Sequence, residues 1–171
     1  MIFYIVITFV VIQRLIELSI AKKNEKWMLS QGAVETGKEH YKFIVILHTL
    51  FIISMIVEYN LKSRYIELNF INYLFLVFFI ILQAGRVWVI SSLGKYWNTR
   101  ILRIPGSELI RTGPYRFFRH PNYIIVICEI FTVPLIFNLY YTAAIFTILN
   151  LLILRIRIKT ENNVLNNQLN H

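Results

Sequence analysis

The sequence predicts an all-α, polytopic integral membrane bundle of about five transmembrane helices, the last two forming a C-terminal hairpin. Three observations carry that expectation. Hydrophobic residues make up 57% of the 171 positions, too apolar for an ordinary soluble fold of that size. Apolar runs of membrane-spanning length recur along the chain. Lysine and arginine gather on alternate connections between those runs.

The first run, residues 2–20, lacks a basic leader and a small-residue cleavage site and carries Arg14 and Glu17, so it reads as a retained span and not as a signal peptide. Arg14 and Glu17 are three residues apart, which suits either a self-neutralising pair facing other helices or a direct role toward a substrate. Residues 21–42 mix Asn24, Glu25, Trp27, Glu35, His40 and Tyr41 around Gly32-Ala33, a composition expected of an interfacial amphipathic segment. The second run, 43–59, is the shortest; its His48 suits a packed interhelical donor. The third is 70–93.

A polar connection follows, with Gly94, Tyr96, Trp97 and Asn98 at its start and a Pro105-Gly106 turn in its middle. Connections this long usually carry function. The last run, 123–154, would reach roughly 48 Å as one helix, beyond a hydrocarbon core of about 30 Å. It therefore divides at Pro134 and Asn138 into two antiparallel helices of about 14–17 residues that need not cross the whole bilayer. A single kinked helix, giving four spans, is the alternative. Glu129 within this run requires a partner, through a structural hydrogen bond or a cofactor contact. The chain reads as one domain over 1–171, with N-terminal helices in 1–93 and a motif loop, hairpin and tail in 94–165.

Five Lys/Arg residues lie in 21–42, two in 60–69, seven between Arg86 and Arg119 and three in the tail (Arg155, Arg157, Lys159). Alternating sides puts fifteen on one face against two on the other, which places the N-terminus outside and the motif loop with the tail in the cytoplasm, in what reads as a bacterial cell membrane. Orientation and attraction to anionic membrane lipid account for the net charge of +9; no recognition helix or RNA-binding motif is present, so nucleic acid is excluded as a partner. The single Cys128 rules out an internal disulfide, and Glu39, His40 and His48 lack a zinc spacing, so no metal site is expected.

Chemistry concentrates in Gly113-Pro114-Tyr115-Arg116-Phe117-Phe118-Arg119-His120-Pro121-Asn122-Tyr123, where cations and aromatics meet a Gly-Pro turn and the start of an apolar run. Arg119 and His120 are donors suited to an anionic group, and Pro121 can open a helix. Downstream, Arg157 and Glu161 are four apart on one helical face, where they could also simply pair in solvent.

These residues resemble the membrane-bound isoprenylcysteine carboxyl methyltransferases and their relatives, which include phospholipid N-methyltransferases. The pattern G-x-Y-x-x-x-R-H-P-x-Y is met by Gly113, Tyr115, Arg119, His120, Pro121 and Tyr123, and R-x-x-x-E-E-x-x-L by Arg157, Glu161 and Leu165, with Asn162 in place of the second acid. The tail also lacks the usual Phe-Gly and paired tyrosines. Arg14-x-x-Glu17, Asn24-Glu25, Gly32-Ala33-x-Glu35 and His40-Tyr41 are similar to a bacterial branch whose members are thought to O-methylate alkylpyrones.

The resemblance implies S-adenosyl-L-methionine as cofactor, held by the motif loop and hairpin, with Tyr115, Arg119, His120, Pro121, Tyr123 and Glu161 as its binding residues. Arg157 and Arg119 are the candidate catalytic residues, able to orient an acceptor oxygen through a guanidinium fork. Glu35, His40, Tyr41 and Trp97 are the candidate residues for a lipophilic small-molecule acceptor: an alkylpyrone-like lipid or a prenylcysteine-type carboxylate. Phospholipid N-methylation, or a non-catalytic membrane protein retaining the fold, are the alternatives.

Overall fold

The computed structural model describes residues 1–62, 67–108 and 110–169, apart from the side chains of His40 and of 163–169. Arg64 and the side chains of His40 and Leu165 thus lie outside the described residues.

The described residues form five α-helices: α1 (Ile2–Ser30), α2 (Lys38–Lys62), α3 (Phe70–Leu93), α4 (Pro121–Leu135) and α5 (Tyr140–Leu169). Four contain stretches long and apolar enough to cross a membrane, and α4 is a shorter apolar helix of 15 residues. At about 1.5 Å per residue α4 falls short of a bilayer core, as expected of a hairpin that need not span. Large apolar side chains such as Ile5, Leu15, Leu74, Ile80 and Val87 are more than half exposed, a surface that lipid and not water must cover.

Each boundary has a local cause. Asn69 caps α3, its carboxamide oxygen accepting from the backbone of Ile71 and Asn72 while Asn72 returns a bond to the Asn69 amide, which satisfies amides the helix leaves free. Gly94, at φ +52°, closes the same helix. Pro121 opens α4 as its first residue, where its missing N–H costs nothing.

The hairpin turn lies where Pro134 and Asn138 predict it; Asn138 adopts φ +55°, a conformation asparagine tolerates better than most residues. Asn72 locks the turn to α3, donating to the Leu135 carbonyl at 3.0 Å and to Asn138 at 2.8 Å. Glu58 on α2 accepts from the Thr142 amide at 2.8 Å and its hydroxyl at 2.7 Å, placing a carboxylate at the positive end of α5. Phe3, Met55, Ile136, Phe137 and Leu139 pack into the core beside this turn.

Two details differ from the sequence expectation. Helix α1 runs on to Ser30 instead of ending near residue 20, because Lys22, Lys23, Glu25 and Lys26 are good helix formers and the first breaker is Gly32, at φ +81°. Residues 21–42 therefore form the end of α1, a short strand β1 (Val34–Thr36) and the start of α2, and no separate interfacial helix. Strand β1 pairs antiparallel with β2 (Ile101–Arg103), Glu35 opposite Leu102. Helix α5 is 30 residues long; the tail 155–165 is the last helix continuing beyond its apolar run, as its charge pattern predicts, with no Gly or Pro to interrupt it.

Candidate active site

The site forms where the polar ends of the helices meet the two long connections. Asn24 on α1 donates to the carbonyls of Trp97 at 2.7 Å and Gly94 at 3.1 Å, and Asn98 donates back to Ala21 at 3.1 Å. These bonds fix the start of the 94–103 connection and present the Trp97 ring, 2% exposed, and the Thr99 carbonyl inward.

The motif loop is seated by Gly113. At φ +55°, any Cβ added there would collide with the Ser92 hydroxyl on α3 and crowd the Trp88 ring. A four-residue helical turn, Gly113–Arg116, begins there with Pro114 buried, and leads to His120 at the N-terminus of α4.

Three segments then join. The Tyr123 hydroxyl donates to Glu161 Oε2 at 2.5 Å and accepts from Arg157 Nε at 2.8 Å. Arg157, 8% exposed, also donates to the Thr99 carbonyl at 2.5 Å. His120 stacks on the Tyr123 ring, with centroids 5.3 Å apart. Its Nε2 lies 3.1 Å from Asn162 Oδ1 and its Nδ1 3.5 Å from Glu161. Asn162 thus holds His120 from the position of the second carboxylate in the pattern R-x-x-x-E-E-x-x-L. Arg157 and Glu161 do not pair directly; Tyr123 stands between them.

A cavity of about 200 Å³ opens beside this cluster, lined among others by Trp97, Thr99, His120, Tyr123, Arg157 and Glu161. A second, of about 430 Å³, adjoins it across Tyr115 and Glu161 and is edged by Arg103, Arg111 and Arg119. Together they are of the size of small-molecule sites, roughly 300–1,000 Å³. Burial, and then the Glu161 carboxylate, push the Tyr115 hydroxyl well above its ordinary range, so it stays a neutral donor. Burial lowers the Arg103 guanidinium, and Glu161 opposes that shift.

Three residues that line the first cavity each carry a buried polar atom with no protein partner among the described residues: Trp97 Nε1, Asn150 Nδ2 and Asn122 Oδ1. Two donors and one acceptor left unpaired on residues around one cavity is a costly arrangement unless something else binds there.

Among the residues singled out in the sequence, Tyr115, His120, Tyr123, Arg157 and Glu161 share this cavity with Trp97. Pro121 is buried at the head of α4. Arg119 is exposed and edges only the second cavity, with Glu161 across it. Glu35 and Tyr41 gather elsewhere, around Arg100, which lies 3.2 Å from the Glu35 carboxylate and 5.0 Å from the Tyr41 ring centre. Tyr41 lines a groove along α1 with Lys22 and Lys26, and Arg100 lines both that groove and the first cavity.

Sequence reasoning missed Asn122, Asn150 and Arg86. Asn150 is a polar residue inside an apolar run, and Gln83 and Arg86 lie three apart in another; polar groups at membrane depth are themselves a signal. Arg14 and Glu17 do pair, at 2.9 Å. Arg86 bonds Glu129 and reaches Glu17 at 3.2 Å, Arg14 reaches Glu129 at 3.1 Å, and Gln83 donates to Glu129 at 2.9 Å. Glu129 thereby acquires the structural partners its depth demands.

Residues 75–167 match the isoprenylcysteine carboxyl methyltransferase (ICMT) family, a stretch that contains the entire motif loop, the hairpin and the Arg157–Glu161 helix. The chain belongs to that family. It is 38% identical over 163 residues to "Uncharacterized protein YpbQ" of Bacillus subtilis, covering 95% of this chain and 96% of the relative. It is also 30% identical over 153 residues to an uncharacterized protein of Haemophilus influenzae, covering 89% and 88%. No solved structure matches. As an ICMT-family member with four long apolar helices, the chain is an integral membrane protein of methyltransferase lineage, and the family match covers the cavity lining apart from Arg14, Ile44 and His48.

Proposed function

We propose that this ICMT-family protein is an integral-membrane O-methyltransferase that uses S-adenosylmethionine and acts on a lipophilic acceptor, an alkylpyrone-like lipid or a prenylcysteine-type carboxylate. The observation that carries this is the joining of His120, Tyr123, Arg157 and Glu161 at one cavity, whose lining also includes Trp97, Asn122 and Asn150, each with a buried polar atom that has no protein partner among the described residues.

The donor set fits the cofactor. An amino-acid carboxylate suits His120, Arg103 and Arg119; an ammonium or ribose hydroxyl suits Glu161; an adenine edge suits the free amide groups, with Trp97 and Tyr115 as apolar walls. Bound there, S-adenosylmethionine would supply a methyl group on a positively charged sulfur. The chain's part is alignment and exclusion of water: Arg157 and Tyr123 fix the Glu161 carboxylate, and the buried walls keep solvent from the reacting atoms. The charge distribution supports a cytoplasmic site in a bacterial cell membrane, because Arg103, Arg111, Arg116 and Arg119 all lie at this end.

Titration calorimetry on detergent-solubilised protein tests the reading. S-adenosylhomocysteine should bind, and His120→Ala and Glu161→Ala should each weaken it at least about tenfold, a loss near 1.4 kcal/mol. Wild-type protein that ignores the cofactor at millimolar concentration would point instead to a non-catalytic relative, and label recovered on lipid amines to N-methylation.

A further inference from the structure

The inner end of the first cavity holds two groups that the cofactor reading leaves without a role. Arg14 on α1 and His48 on α2 both line it, together with Ile44, Val126 and Leu154. Beyond them a small apolar space of about 30 Å³ continues between Val10, Phe51, Phe79 and Val133, again edged by Arg14 and His48. Arg14 therefore stands between the polar cavity and the apolar interior of the bundle.

The charges around Arg14 are arranged asymmetrically. Glu129 accepts from Gln83, from Arg14 and twice from Arg86; Glu17 accepts from Gln13, Arg14 and Arg86. Glu129 thus has all four of a carboxylate's acceptor sites taken, and Glu17 three of them. Arg86 is enclosed, its side chain 2% exposed, whereas that of Arg14 is 25% exposed. Arg14 spends two N–H donors on Glu17 and Glu129, which leaves three of the five a guanidinium carries. The quartet is neutral as a whole, yet its member that lines the first cavity is a cation, Arg14.

His48 adds an acceptor. Its Nδ1 lies 2.8 Å from the Ile44 carbonyl and must donate to it, so in the neutral ring Nε2 is a bare acceptor, with no protein partner among the described residues. The charged groups about it are those of the quartet: Arg14 and Glu17 from α1, Arg86 from α3 and Glu129 from α4.

We propose that Arg14 and His48 form the acceptor subsite, and that they select a lipophilic oxygen acid, an enol, phenol or carboxylic acid, over an amine. The assignment rests on the methyltransferase reading above and deepens it. An ammonium head group would meet the Arg14 guanidinium, with Glu17 and Glu129 behind it already bonded to arginine, while an oxyanion can accept from N–H groups that Arg14 has not committed. For an acceptor that arrives protonated, the O–H proton passes to His48 Nε2 and the oxygen lone pair forms the new O–CH3 bond. The C–S bond breaks with its electrons remaining on sulfur, so sulfonium becomes thioether, and His48 later returns the proton to water. The acceptor's chain follows the apolar walls toward the lipid.

The test uses the full-length protein in detergent with S-adenosylhomocysteine bound, and three probes of matched chain length: a 6-alkyl-4-hydroxy-2-pyrone, an alkylphenol and an alkylamine. Wild-type protein should hold the two oxygen acids at least about tenfold more tightly than the amine, and Arg14→Gln should abolish that preference while S-adenosylhomocysteine affinity is kept. His48→Gln should slow methyl transfer to the phenol, which arrives protonated, at least about tenfold more than to the more acidic pyrone. Should Arg14→Gln fail to fold, Arg14→Lys keeps the charge and loses the fork, and should weaken oxygen-acid binding about tenfold. An amine bound as tightly as the acids, or a preference that survives the loss of Arg14 with S-adenosylhomocysteine still bound, overturns the subsite and spares the cofactor reading. Absence of S-adenosylhomocysteine binding to wild-type protein removes both.

Discussion

Tyr123 and Glu161 are 38 residues apart in sequence and joined by a 2.5 Å hydrogen bond from the phenol to the carboxylate. The same oxygen accepts from Arg157 at 2.8 Å, so one hydroxyl closes α4 against α5 and sets the orientation of both charged residues.

Tyr123→Phe removes that hydroxyl and leaves Glu161 and Arg157 each short of a partner. Hydrogen bonds to charged groups contribute about 1.5–3 kcal/mol, so cofactor affinity should fall about tenfold or more. Calorimetric titration with S-adenosylhomocysteine reads this, and an unchanged affinity would mean that the latch does not shape the site.

Trp97→Phe separates ligand binding from packing. The ring is buried and its N–H unpaired, so the substitution deletes an unsatisfied donor and should leave the ligand-free protein as stable or up to about 1 kcal/mol more stable. Cofactor binding should nevertheless weaken. A thermal melt with and without ligand distinguishes the two effects, since only the ligand-induced increment is expected to shrink.

Gly113→Ala should be poorly tolerated, because its Cβ meets the Ser92 side chain and its φ of +55° disfavours any L-residue. The strain from φ alone is about 1 kcal/mol, and the collision adds to it. Adding Ser92→Gly should restore the collision part only, so yield and melting temperature of the double variant should lie between the single variant and wild type.

Glu58→Gln acts at the opposite end of the bundle. It weakens the bonds to Thr142 and the ion pair with Lys62, 2.8 Å away, and should cost about 0.5–2 kcal/mol, the range of a lost helix cap. S-adenosylhomocysteine affinity should stay within about twofold, since Glu58 lies by the hairpin turn; a larger loss would show that the two ends are coupled.

The sequence by itself determined the membrane architecture. Span length and helix punctuation are one-dimensional properties: a run of apolar residues either reaches across hydrocarbon or does not, and Pro121, Pro134 and Asn138 restrict the backbone wherever they fall. It also held most of the site, because Tyr115, His120, Tyr123, Arg157 and Glu161 are polar groups clustered where lipid-facing helices have no use for them. Tertiary structure alone decided which of these meet. These helices are apolar on nearly every face, so periodicity cannot say which side turns inward. Their rotation set Arg86 against Glu129 and Arg14 beside His48. The burial of Trp97 and the inward Thr99 carbonyl came from Asn24 and Asn98 pinning a loop to α1, and Arg119 was left at the rim because the turn begun at Gly113 directs His120, its neighbour, inward. Pairings of that kind depend on distances between segments, which no local pattern of residue types contains.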